Sequence, residues 1–479
     1  MDGLECVELK YSEISDIDNN KTLRFDSEFF SKETITALEK LSASNHFYLD
    51  KKSIVSGPFG STLKSSSYLS KGDIPFVRIE DIKGGFYVKR DNLIYISHSD
   101  NNRIKNSQLI VDDLILSKVG NSIGFFARVD DELKTCNISE NNIGIKLSTY
   151  DKEKKHIILA YLNSYYGQAV LLSKKSGNAQ PKLNVEDICH IPIPDFSIEF
   201  SRLVSQCIIA SEKSYKSSNI KYSEAESILN SFLGIGFDKL SNSGLSIKKL
   251  SDSYNKTGRL DSEYYQLKYD ELIAKLKSLN SYKLGTDEGI CTFKKSIEPG
   301  SGYYQDEGIA FIRVSDISKF GIQESEIKLP YDVDDNIERL YPKKDTILFS
   351  KDGSIGIAYK VDKDLKVITS GALLHLNIKD INKVLPEYLT LVLNSRLVQM
   401  QAERDSNGAV IQHWRIDEIS NVLIPVAPME IQIDIENKIN ESFRLRKESE
   451  ELIKKGIRAV EIAIEKSEDE AIKYLESGS

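Results

Sequence analysis

The chain has 479 residues, 40% of them apolar and 28% charged, and 64 Lys and Arg against 72 Asp and Glu give a net charge of −8. This is too long for one ordinary core and predicts two or more domains. No stretch reaches the roughly 20 apolar residues that span a bilayer, and MDGLECVELK at the start lacks the apolar run of an export signal, so a cytoplasmic location without membrane contact is expected. The acidic balance argues against binding nucleic acid over the whole surface through counterion release. Cys6, Cys136, Cys189, Cys207 and Cys291 are scattered without a CxxC pair, which argues against a zinc ribbon, another metal site or a disulfide framework.

In chain order, RFDSEFF (Arg24 to Phe30) leads into SKETITALEKL, whose apolar spacing is helical. The region from Lys51 to Arg128 carries twelve Lys and Arg against seven Asp and Glu, a local excess of +5. Within and after it, IPFVRI, LIYI, DLILSKV, GFFARV and IGIKL, separated by Gly, Asn, Asp and Ser, predict short strands. HIILAYLNSYYGQAVLL predicts a second helix, followed by the loop GNAQPKLNVEDI (Gly177 to Ile188) and the pair Ile191-Pro192. Residues 198–233 contain neither Pro nor Gly. Val204, Ile208, Tyr215, Tyr222, Ala225, Leu229 and Phe232 follow a 3-4 alternation there, interrupted by Ser211 and Ser218, which predicts a helix on the order of 50 Å long with coiled-coil spacing.

The order then recurs. RLDSEYY (Arg259 to Tyr265) and IAFIRVSDI (Ile309 to Ile317) repeat RFDSEFF and IPFVRIEDI (Ile74 to Ile82) at one shared offset of 235. DTILFSKDGSIG answers DLILSKVGNSIG, NGAVIQHWRIDEI answers the Gly/Gln loop, and Ile424-Pro425 precedes a second long apolar stripe from about Met429 to Leu475. Such a period is too long for a solenoid and marks a duplicated domain. The expected fold is α+β: two tandem domains of helices and compact, mostly antiparallel sheet, separated by two long helices that form an antiparallel coiled coil. The boundaries are 1–197 and 236–428 for the domains, and 198–235 and 429–479 for the helices.

Several catalytic signatures are missing. No prolines are adjacent, so the Asn/Asp-Pro-Pro-aromatic string of amino-methyltransferases is absent, and there is no GxGxxG after a strand, no GxxxxGK[ST] and no HExxH. Pro194-Asp195 lacks the acid-x-Lys of a nuclease site. No catalytic residue is therefore assigned. Three loops per half carry residues suited to DNA contact instead. Gly57, Phe59, Gly60, Ser61 and Lys64 form a glycine- and hydroxyl-rich segment that lets backbone approach phosphate. Lys118, Asn121 and Ser122, answered by Lys351 and Ser354, mark a hairpin tip. Asn178, Gln180 and Lys182 answer Gln412, His413, Trp414 and Arg415; Asn and Gln pair with adenine, Arg with guanine. Arg78 and Arg313, at equivalent places in the repeat, complete the set.

The order Arg-x-Asp-Ser-Glu-aromatic, GPFGSxLK, IPFVRIEDI, LILSKVGNSIG, GNAQPKLN and IPIP resembles the specificity subunits of Type I restriction-modification systems over nearly the full chain. The resemblance implies two target-recognition domains, each binding half of a split site in double-stranded DNA, with the helices as ruler and docking platform for two methyltransferase subunits. Restriction-translocase subunits join for cleavage, and S-adenosylmethionine, ATP and magnesium belong to those partners, with no cofactor on this chain. The second half departs from the pattern, with EPGSGYYQ for GPFGSTLK and QHWRIDEI for QPKLNVEDI. Two alternatives stay open at this point: a duplicated protein-interaction scaffold that does not touch DNA, and the recognition subunit of a system whose methyltransferase and nuclease are fused.

Overall fold

The computed structural model of the chain describes residues 32–42, 44–82, 86–90, 93–177, 181–241, 246–323, 325–406 and 412–477. The string Arg24 to Phe30 lies outside them. Among the described residues no helix is long and apolar enough to cross a membrane. The fold is α+β. Its contacts divide into two compact units, Met1–Ser214 with Glu448–Ser479 and Tyr215–Lys447. Each long helix, α1 (Ile198–Leu233) and α2 (Met429–Glu465), thus gives residues to both units.

In the first unit the helix Lys32–Ser42 precedes β1 (His46–Phe47), β2 (Ile54–Ser56), β3 (Ile74–Val77), β4 (Ile94–Ile96), β5 (Leu109–Ile110), β6 (Leu114–Ser117), β7 (Phe126–Arg128), β8 (Thr135–Ile138) and β9 (Asn142–Ile145). Helices Lys152–Leu162 and Tyr165–Ser173 follow, and then β10 (Ile193–Pro194). Strands β2-β9-β6-β7 form one antiparallel sheet; β4-β3-β8-β5 form a second, in which β3 and β8 are parallel. The strand β6 is buried along its length because both its faces are covered. Leu114 and Leu116 pack with Ile157 and Leu159 of the helical layer, whereas Ile115 between them packs with Val77 and Ile138 of the second sheet, the alternation a strand imposes.

The second unit repeats this plan with β11 (Ser281–Lys283), β12 (Cys291–Lys295), β13 (Ile309–Ile312), β14 (Ile317–Ser318), β15 (Gly321–Ile322), β16 (Lys328–Leu329), β17 (Ile347–Ser350), β18 (Ala358–Lys360), β19 (Ile368–Thr369), β20 (Leu373–Ile378) and β21 (Leu423–Pro425). Sheet β12-β20-β17-β18 answers β2-β9-β6-β7, and β16-β13-β19 answers β4-β3-β8, with β13 and β19 again parallel. Ile193 pairs with Phe47 and Ile424 with Tyr282. The structural counterpart of Ile424-Pro425 is therefore Ile193-Pro194, two residues beyond the pair expected from sequence.

Two helices differ from expectation for local reasons. The segment 156–172 is broken at Asn163 and Ser164. The Ser164 hydroxyl donates to the Tyr161 carbonyl (2.6 Å) and accepts from the Gly167 N–H (3.2 Å). A Cβ on Gly167 would lie 2.0 Å from that carbonyl oxygen, so the tight break needs glycine. The other difference is the end of α2 at Glu465. Ser467 is extended and caps the helix Glu468–Glu476 by accepting the Glu470 N–H (3.3 Å). The Leu475 carbonyl takes the Lys455 ammonium (2.7 Å), and Ala471 and Leu475 join the first unit's core.

Where α1 and α2 meet, the serines that interrupt the apolar alternation are partners. In the first unit the Ser211 and Ser449 hydroxyls lie 2.8 Å apart; in the second, Ser442 donates to the Ser218 carbonyl (2.8 Å). Buried charge also ties sheet to helix. Arg128 on β7 pairs with Asp112 and, at 2.6 Å, with Glu212 on α1. Lys360 on β18 pairs with Asp345 (3.5 Å) and, at 2.7 Å, with Glu387. Asp112 and Asp345 both hold left-handed backbone, with φ of 72° and 65°.

Each unit also encloses a histidine. His156 meets the Ser205 hydroxyl (2.8 Å), and His375 meets the Thr369 hydroxyl (2.8 Å) through Nε2. Burial, reinforced by Arg128, pushes His156 down to about 3; burial, reinforced by Lys294, pushes His375 down to about 4. The unfolded chain protonates these rings near 6.5 while the folded chain keeps them neutral, so they stabilise the fold above that pH, and the contribution is lost as pH falls through the interval below it. Urea unfolding at pH 7 and pH 5 is expected to show a smaller drop in midpoint for His375→Gln than for the wild type. An equal drop would remove His375 from the acid sensitivity.

Candidate nucleic-acid interface

At one end of the first unit's main sheet, backbone hydrogen bonds gather three connections around Lys118, the residue after β6. Its N–H donates to the Asn141 carbonyl in the β8–β9 turn (3.1 Å), and its carbonyl accepts the Leu183 N–H at the end of the Gly/Gln loop (2.9 Å). The segment after β2 joins them: the Gly57 N–H donates to the Asn142 carbonyl (3.1 Å), and the Lys118 ammonium to the Ser56 hydroxyl (2.7 Å). The second unit repeats the frame at Lys351, whose N–H donates to the Ala372 carbonyl (2.9 Å) and whose carbonyl accepts the Trp414 N–H (2.8 Å). All three loop types singled out in the sequence thus meet at one sheet end in each unit.

This register makes Trp414 the counterpart of Leu183, and that corrects its assignment as a DNA contact. Its exposure is 1%, and it packs on Phe349 with ring centroids 5.8 Å apart. A side chain so placed belongs to the core and has no face for a duplex. His413, one residue earlier, is exposed, and its Nδ1 lies 2.8 Å from the Asp352 carboxylate. Gln412 is exposed, and its carbonyl accepts the Gly353 N–H (2.9 Å). Arg415 starts the helix Ile416–Ser420, and its guanidinium pairs with Asp417 (3.0 Å) and Glu418 (3.3 Å).

In the first unit Phe59 is 82% exposed, with Gly60, Ser61 and Lys64 exposed around it, while Gly57 is half-buried. Lys182 is exposed, and its backbone pairs with Ser176 in both directions (2.9 and 3.0 Å). Lys118 is half-buried. Burial lowers its pKa against the opposing pull of Glu140, and Lys182 lowers it further. Lys351 is likewise half-buried and pairs with Asp352, whereas Ser354 is exposed. Asn178 and Gln180, and the side chain of Asn121, lie outside the described residues.

Ser122 lies in the 3-10 turn Gly120–Ser122 within the β6–β7 hairpin and is 8% exposed. GNSIG (Gly120 to Gly124) has Gly-x-Ser-x-Gly spacing, whereas the reading of the sequence expects no such elbow. Its place between two strands is not the strand-to-helix turn of a nucleophile elbow.

Arg78 and Arg313 leave the ends of β3 and β13 in the same way. The Arg78 N–H donates to Asp81 (2.7 Å) and the Arg313 N–H to Asp316 (2.9 Å), both carboxylates buried. Burial pushes Asp81 up to about 6. A concavity beside Arg78 is lined by Pro58, Gly60, Tyr68, Ser139 and Glu140. The sequence reading missed Ser139 and Glu140, and Glu298 and Asp352 in the second unit. The signal available was the alignment of the two halves, which sets Ser139-Glu140 against Ser370-Gly371.

Residues 288–455 match the family model described as Type I restriction modification DNA specificity domain. Three solved structures are similar to the chain. A Type I restriction-modification system S subunit from M. genitalium shares 14% identity, covering 90% of this chain and 96% of its own, with a TM-score of 0.33. A structure of complex assembly and conformational transition of the type I R-M system shares 14%, covering 88% and 97%, with a TM-score of 0.28. The HsdS subunit from Thermoanaerobacter tengcongensis shares 13%, covering 89% and 96%, with a TM-score of 0.27. No curated protein matches the chain.

Trp414→Ala is expected to destabilise the second unit by roughly 3–5 kcal/mol, the cost of emptying a core aromatic site, as read from urea unfolding. Wild-type stability together with altered DNA preference would return Trp414 to the surface.

Proposed function

We propose that this chain, whose residues 288–455 match the Type I restriction modification DNA specificity domain, supplies the DNA address of a multisubunit modification and restriction enzyme. Each unit reads one half of a bipartite, gapped site in double-stranded DNA. The chain itself is non-catalytic. Two methyltransferase subunits act at the site it selects, and restriction-translocase subunits join for cleavage. S-adenosylmethionine, ATP and magnesium serve on those partners. The long helices common to both units are the spacer and the docking platform.

The observation that carries this reading is a frame kept constant while its tips vary. The backbone bonds of Lys118 recur at Lys351, but Glu140 and Lys182 in one unit are answered by Gly371 and His413 in the other. Backbone contacts position a protein on DNA, and side chains at base edges specify sequence. One frame with two sets of tips suits two different half-sites. The net charge of −8 is compatible with this role because partner subunits contribute phosphate contacts of their own.

Methylation-aware sequencing of DNA modified by the chain with its methyltransferase is expected to return one gapped motif; a continuous motif, or none, would defeat the reading. Lys64→Ala is expected to weaken binding to all sequences alike and to reduce the salt slope by about 1. A change confined to one base position would instead make Lys64 a base reader.

A further inference from the structure

The β8–β9 and β19–β20 turns occupy the same place in their units. The Ser139 N–H donates to the Val77 carbonyl (2.9 Å) and the Ser370 N–H to the Ile312 carbonyl (2.8 Å), Val77 and Ile312 being equivalent in the repeat. The next residue is Glu140 in one unit and Gly371 in the other. Facing it is the segment after β2 or β12. In the first unit the Glu140 carboxylate accepts the Gly60 N–H from that segment (2.5 Å). In the second unit the segment supplies the carboxylate, Glu298, which accepts the Gly371 N–H (2.8 Å). The same two segments are joined by the same kind of bond with acid and glycine exchanged. A Cβ on Gly60 or Gly371 would lie 2.9 Å from a carboxylate oxygen, so any larger residue there would push the acid aside.

Both acids are exposed, and Glu140 stands in the field of Lys118. An N–H in a glycine-containing turn suits a DNA phosphate, yet here a carboxylate fills it. A phosphate arriving there meets like charge and an occupied donor. Such an acid lowers backbone binding to any sequence, while a carboxylate also accepts from the cytosine amino group. Lower affinity for wrong sites raises specificity as effectively as tighter binding to the right one.

We propose that Glu140 and Glu298 are specificity-determining residues, one in each unit, whose carboxylates hold the facing glycine N–H in the free protein and exclude DNA phosphate until the correct half-site supplies base contacts. This rests on the reading of the chain as the DNA-specificity part of its complex.

The test uses the full chain assembled with its methyltransferase, and compares Glu140→Gln, Glu298→Gln and Glu140→Asp for binding to the target duplex and to a random-sequence duplex at several salt concentrations. Gln keeps an acceptor oxygen and removes the charge; Asp keeps the charge. Each Gln variant removes one like charge facing the phosphate backbone and is expected to raise random-sequence affinity by roughly three- to tenfold near 0.1 M salt, the gain shrinking as salt rises. Target affinity should change less, and relaxed methylation should appear in one half-site for Glu140→Gln and in the other for Glu298→Gln. Glu140→Asp should stay near the wild type with random DNA. Random-sequence affinity that is unchanged or lower in the Gln variants overturns the inference, as does a Glu140→Asp variant that rises as much as Glu140→Gln. A wild-type complex that prefers no site defeats the functional reading itself; a selective wild type with Gln variants of equal selectivity defeats only this inference.

Discussion

Two backbone hydrogen bonds, made by Lys118 and made again by Lys351, fix where the loops of each unit begin and end. One reaches the turn between adjacent strands, and the other receives the end of the Gly/Gln loop. Because neither uses a side chain, the frame is indifferent to what the loops carry. A leucine ends the loop in one unit and a tryptophan in the other, and both are buried at the same station. Beside those anchors Glu140 and Lys182 are replaced by Gly371 and His413 without disturbing β6 or β17. A scaffold that recognises different partners with one fold needs this separation of frame from tips.

Behind the tips, the joints between sheet and helix are polar where apolar packing would have been simpler. Arg128 with Asp112 and Glu212 is an enclosed ion cluster, and Lys360 pairs with buried Glu387 and exposed Asp345. Buried pairs of this kind add little net stability over apolar residues of equal volume, because desolvation offsets attraction. They do tie each strand to one helix position, since a slip leaves a charge unpaired. The serine contacts in the seam between α1 and α2 act in the same sense. Ser211 with Ser449, and Ser218 with Ser442, leave hydroxyls unsatisfied in any register but their own. We read these features as fixing register and orientation more than adding stability.

The duplication was legible in the sequence because it is carried by apolar strings with fixed spacing: IPFVRI and IAFIRV became β3 and β13, and LILS and ILFS became β6 and β17. The long helices were legible from their apolar stripes and freedom from proline and glycine. What the strings did not carry was local stereochemistry. The break at Ser164 depends on Gly167 approaching the Tyr161 carbonyl, and the end of α2 depends on one serine turning extended at 467. Composition likewise misassigned Trp414: an aromatic in a polar loop reads as a contact, and only its burial against Phe349 shows it facing the core. Glu140 and Glu298 escaped notice because an acid is not an obvious partner for DNA, and because what they share is a bond to a glycine N–H on the facing segment, which spacing does not show.

The distribution of carboxylates at the candidate surface bears on how an acidic chain reads a polyanion. Arg78 pairs with Glu80, Arg415 with Asp417 and Glu418, and Lys351 with Asp352, whereas Lys64 and Lys182 make no side-chain bond among the described residues. The exposed pairs of Arg415 contribute roughly 0–1 kcal/mol each, so DNA can replace them at small cost. Their geometric effect is larger than their energy. A carboxylate that holds a guanidinium by one edge leaves the other edge in a defined direction, and a planar fork already oriented loses less freedom on meeting a guanine. In the proposed role the free lysines would supply attraction that depends little on sequence, and the paired arginines direction. Under the proposed reading, discrimination belongs to the second group, and Glu80, Asp417 and Glu418 are among the acids that hold it in place.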